Sequence, residues 1–155
     1  MKLKTVVAFL MLLLCGCYAK DQSSNSSKKN LPIAGTWKLI SATTVEKGDT
    51  TFTDYTKTAS FIKIINDTHF AFLTHSLEKG KDSATNFDAG GGSYSLVDSN
   101  YTEHLEYCKE PEWEGHDFAF VITIRNDTLT QKGIEKVDKA GVNRLNIERY
   151  VRLKK

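Results

Sequence analysis

The chain has 155 residues, a length that points to one domain. Its 21 lysines and arginines stand against 19 acids, a formal charge of +2. So even a balance excludes the basic face of a nucleic-acid binder, and three cysteines are too few for a disulfide scaffold.

In chain order, Lys2 and Lys4 give a positive start, and Val6 to Leu14 is an apolar run. The run is too short for a mature membrane helix, which needs about 20 apolar residues, so it reads as a secretory signal. Leu14-Cys15-Gly16-Cys17 follows and resembles the bacterial lipobox. That resemblance implies cleavage before Cys17, a diacylglycerol on its thiol and an acyl chain, expected to be palmitate, on the new amine. Cleavage would remove Lys2 and Lys4, taking 21 basic residues to 19, equal to the 19 acids. Cys15 leaves with the signal and Cys17 carries lipid, so Cys108 remains alone. The domains expected are a signal peptide at 1–16, a lipidated tether at 17–31 and a barrel at 32–155. The tether, from Lys20 to Asn30, has no apolar side chain and cannot order itself. Lys20-Asp21 resembles in part the export tag of surface lipoproteins in Bacteroidetes. The expected location is therefore the cell envelope, at the outer membrane, extending to the cell surface.

From Ala34 onward the residues favour strands, with turn signals every eight to twelve residues or so. Strands are expected at about 35–45, 55–65, 68–77, 84–97, 100–108, 117–125, 127–134 and 142–153. Asn66-Asp67, Asp98-Ser99-Asn100 and Asn126-Asp127 suit tight hairpins. Tight hairpins join antiparallel neighbours, so the expected fold is all-β, an antiparallel up-and-down barrel of eight strands. Two connections read as long polar loops, Glu46 to Asp54 and Lys109 to His116. Trp113, in the second, is expected either to fold over a barrel end or to lie on the surface.

Gly35-Thr36-Trp37 opens the first strand and resembles the Gly-x-Trp signature of lipocalins and their calycin relatives. The resemblance implies that Gly35 and Trp37 close the barrel floor and that an arginine of the last strand crosses the indole face. Arg152 is preferred to Arg149. Four segments in order (Thr68-His69-Phe70, Gly90 to Leu96, Tyr101 to Tyr107, and Glu148 to Arg152) resemble a lipocalin-like family of exported bacterial proteins. Tyr150 departs from the expected tryptophan, and Ser76 to Asn86 reads as an insertion.

Alternation places Tyr101, Glu103, Leu105 and Tyr107 on one face of their strand, and the resemblance turns that face inward. His69, Tyr94, Tyr101, Glu103 and Glu148 then form the candidate ligand-binding set. Glu148 and Arg152 are expected to pair, because a buried charge needs a partner. The expected partner is a small apolar or amphipathic molecule, with the membrane held through lipid, no nucleic acid, and a monomeric state. Binding is expected ahead of catalysis; the enzymatic alternative uses Glu103 or His69 as base, and a third reading is an interaction module acting through loops. No cofactor and no metal are expected. The four histidines lack a zinc spacing, and Gly90-Gly91-Gly92 lacks the lysine and helix of a phosphate loop.

Overall fold

The computed structural model describes residues 31–77 and 87–154. The signal, Cys17, most of the tether and residues 78–86 lie outside the described residues. Among the described residues nine strands run in one antiparallel sheet: β1 Gly35–Glu46, β2 Asp49–Asp54, β3 Ala59–Ile65, β4 His69–Ser76, β5 Phe87–Val97, β6 Asn100–Cys108, β7 His116–Arg125, β8 Thr128–Val137 and β9 Val142–Arg152. Each strand from β3 to β9 pairs with the next, and β9 returns to β1 to close the barrel. β2 and β3 share one position in the wall. β2 pairs with the far half of β1, from Ser41 to Glu46, and β3 with the near half, from Gly35 to Lys38. The result is a closed up-and-down barrel of eight strand positions.

The expected loop from Glu46 to Asp54 is instead a hairpin. Lys47 and Gly48 both take positive φ, the backbone of a two-residue turn, and Thr50 to Thr53 favour extended chain. The expected strand at 55–65 is shortened by one helical turn, α1, at Tyr55–Thr58. Asp54 starts that turn by accepting hydrogen bonds from the Thr56 amide and hydroxyl.

Two irregularities reverse the alternation of side chains. On β1 the partners step from Leu39↔Tyr150 to Ser41↔Arg149, leaving Ile40 as the extra residue. On β6, Leu105 faces Gly92 and Tyr107 faces Gly91, leaving Glu106 extra. Such a bulge flips every later side chain to the other face of its strand. Tyr107, expected inside, is therefore outside and 68% exposed, and Cys108 turns inward. Glu106 accepts hydrogen bonds from the Ser93 amide and hydroxyl across the bulge. Gly92 is needed there, since a Cβ would overlap the His104 carbonyl oxygen.

The lower half of the barrel is packed solid. Trp37, Leu39, Tyr101, Ile122, Leu129 and Tyr150 are all buried to within 1%. Leu31, placed in the tether by its sequence, packs against this core, and Ile33 is buried in it. The Trp37 indole donates to the Ile33 carbonyl at 2.7 Å. The Arg152 guanidinium lies 4.0 Å from the centre of the Trp37 ring and donates to the carbonyls of Pro32 and Ala34. Gly35 has φ +141°, a backbone that residues with a Cβ rarely adopt, so the position favours glycine, and a Cβ there would also crowd the tip of Arg152.

Candidate functional site

Above the packed half lies a partly enclosed cavity of about 260 Å³. Its floor is polar. Lys63 comes from the middle of β3, in the otherwise apolar run Phe61-Ile62-Lys63-Ile64-Ile65, and is 3% exposed. Its Nζ lies 2.6 Å from Glu103 Oε1 and donates to Gln131 Oε1 at 3.2 Å. The same ammonium sits 5.3 Å above the Tyr150 ring and 5.7 Å above the Phe70 ring. Burial opposes the charged form of Lys63, but Glu103, Glu148 and Glu135 outweigh it and hold its pKa above the ordinary lysine value.

The wall is aromatic on one side and polar on the other. Phe61 and Phe72 stack at 5.8 Å with 12° between planes, and Phe118 and Phe120 face in from β7. From β8 and β9 come Glu135, Arg144 and Glu148. Arg144 Nε meets Glu135 Oε2 at 2.7 Å, and the Asn146 amide donates to the other Glu135 oxygen at 2.7 Å. At the mouth a short 3-10 turn at Pro111–Trp113 folds the indole inward, 5.6 Å from the Phe118 ring and beneath the Arg144 guanidinium. Of the two readings of Trp113, the geometry is that of a cap over the barrel end.

Glu148 points into this cavity and accepts a hydrogen bond from the Tyr150 hydroxyl at 2.7 Å. It does not pair with Arg152, which is committed to Trp37 and two carbonyls. Glu148 has a raised pKa, chiefly because burial disfavours its charge; Lys63 and Tyr150 pull it back only in part, while Glu135 and Glu103 push it further up. A carboxyl whose folded pKa is raised weakens the fold once pH exceeds its unfolded value, and the full penalty is present above the folded value. Glu148→Gln should therefore raise Tm at pH 7.5, with the gain fading as pH falls towards 4. Thermal melts at both pH values measure it, and a variant that melts below the parent at pH 7.5 would contradict the cause given.

The five sequence-predicted ligand residues are thus divided. Glu103 and Glu148 line the cavity together. Tyr101 is sealed in the core beneath, and burial drives its hydroxyl pKa upward. Tyr94 lies towards the closed end, its ring 5.2 Å from Tyr101 and its hydroxyl donating to the Asn66 carbonyl. His69 is exposed on the outer face, bonded to the Thr68 hydroxyl, because its neighbour Phe70 takes the inward direction. Glu103 and His69 are consequently on opposite sides of the wall and cannot act as one catalytic pair. Reading the sequence missed Lys63, Gln131, Glu135 and Arg144. The available signal was parity: Lys63 shares a face with Phe61 and Ile65, and Gln131 and Glu135 share one with Leu129 and Val137.

Compared with models of known protein families the chain matches none, and no curated protein matches it.

Proposed function

We propose that this chain is an exported lipoprotein, anchored through Cys17, that binds a small, partly apolar molecule in the open half of its barrel. The observation that carries the reading is the cavity, with its aromatic wall, polar floor and indole cap. Ligand sites combine mostly apolar linings with a few placed polar groups, and this one does both. Its 260 Å³ holds the volume of roughly nine waters. That suits a single substituted ring better than a lipid chain or a porphyrin. The lipocalin-like Gly35-Thr36-Trp37 opening, with Arg152 over the indole, supports the same reading.

The test is titration of the full-length protein with single-ring compounds of differing charge, followed by Trp113 emission and ligand-observed NMR. Saturable binding is expected, weakened about tenfold (1.4 kcal/mol) by Leu105→Phe, which takes up interior volume. If no compound of any charge binds, the carrier reading fails. The anchor is tested separately: Cys17→Ser should abolish incorporation of labelled acyl chains and release the protein from the membrane fraction.

A further inference from the structure

The charges around the cavity do not balance. Five carboxylates border it, those of Asp88, Glu103, Glu110, Glu135 and Glu148, against two cations, Lys63 and Arg144. Both cations are committed, Lys63 to Glu103 and Arg144 to Glu135. Among the described residues Glu148, Asp88 and Glu110 stand outside these pairs. Glu148 is the deepest of the three, and its hydrogen bond comes from a neutral hydroxyl. Asp88 Oδ1 is buried with no hydrogen-bond partner in the described residues. Buried carboxylate oxygens left this way favour whatever brings positive charge or a donor to them.

The wall opposite them has the same preference. Ring faces carry negative potential and attract cations. The protein already uses this twice in the cavity, with Lys63 over Tyr150 and Arg144 over Trp113. Phe61, Phe72 and Phe118 also line the cavity, and among the described residues no lysine or arginine lies over their rings. The carboxylates do not converge as metal ligands do: among the described residues no three of His, Cys, Asp and Glu group closely enough to hold an ion. A cation that fits must bring its own bulk to fill the space between Glu148 and the rings.

We propose that the ligand is a small organic amine bound as its ammonium ion, with the nitrogen directed to Glu148 and the apolar body against Phe61, Phe72 and Phe118. The inference rests on the cavity reading above and adds the sign of the ligand's charge. An anionic analogue would place like charge beside unpaired carboxylates, so the same lining that attracts an amine rejects an acid.

Three probes of one shape separate these claims: benzylamine, benzyl alcohol and benzoate, titrated calorimetrically into the full-length protein at about pH 7.5. The expected order is amine tighter than alcohol by about tenfold, with benzoate undetectable. In Glu148→Gln the amine-to-alcohol ratio should collapse to within about threefold, a residual of roughly 0.7 kcal/mol. If the alcohol or the benzoate binds as tightly as the amine, the charge inference is overturned while the cavity reading stands. If the amine preference survives in Glu148→Gln, the placement of its nitrogen is overturned. If none of the three binds, both the inference and the reading beneath it fall. The comparison on the unmodified protein needs no variant, so a misfolded Glu148→Gln would not rescue the proposal.

Discussion

Lys63→Met should cost about 3–5 kcal/mol of stability at neutral pH, the range for removing one partner of a buried ion pair. For a domain of this size that is a fall in Tm on the order of 10–20 °C. The loss comes from Glu103 more than from the lysine. Glu103 is 7% exposed and keeps no other cation within ion-pairing distance among the described residues, so its carboxylate would be stranded in the interior. One further measurement separates this cause from simple loss of packing. Lys63→Met combined with Glu103→Leu should recover most of the loss, because replacing a whole buried pair with apolar residues is often neutral. A double variant as unstable as the sum of the two single ones would show that the pair is not coupled. The folded pKa of Lys63 lies above 10.5, so its contribution is complete at pH 7 and is lost only as pH climbs through that raised value.

Trp37→Ala should be comparably damaging, at about 3–5 kcal/mol for the cavity left in the packed floor. The ring is fully buried, and its removal also frees Arg152 from a contact of order 1 kcal/mol. Arg152→Lys is the informative companion. It keeps the charge but loses the planar fork that reaches Pro32 and Ala34 while covering the indole. It should cost roughly 1.5–3 kcal/mol, the range of a hydrogen bond to a charged group. Denaturant unfolding of both variants measures these effects. A loss below about 1 kcal/mol for Trp37→Ala would remove the floor plug from the account of stability, since floor cavities of that size are rarely so tolerated.

Much of the barrel was legible because the information is local. Asp98 and Asn126 take the positive φ that their residue types tolerate, and the hairpins they begin fix each strand beside the next. Gly35, Trp37 and Arg152 could be placed only through the resemblance of Gly35-Thr36-Trp37 to a Gly-x-Trp opening, and the contact it implies, Arg152 across the Trp37 ring, is present. The site was less legible because it depends on parity carried through bulges. Nothing in Leu105-Glu106-Tyr107-Cys108 announces that Glu106 will drop out of the pairing, yet that single residue exchanges Tyr107 for Cys108 on the inner face. His69 was misplaced for a related reason. Adjacent residues cannot both point inward, and the greater apolar area of Phe70 decides the direction. The hairpin of β1 and β2 was missed because polar threonines resemble a loop in composition while favouring an extended backbone. Lys63 was missed because a lysine among isoleucines is read as solvent-facing until its partner on β6 is known.

The meander also orders events in time. Seven of the junctions around the wall join strands that are near neighbours along the chain, so each closes only a short stretch of chain. The seam between β9 and β1 is different: Trp37 meets Arg152 across more than a hundred intervening residues. Joining ends so distant carries a loop-closure entropy that must be met before the seam's contacts are gained, so the seam should form after the rest of the sheet. Contacts made that late are absent from the folding transition state. Weakening the Trp37–Arg152 clasp would then hasten unfolding while leaving the folding rate nearly untouched. The same two residues that close the floor in space would thus act as the latch that sets how long a folded molecule survives.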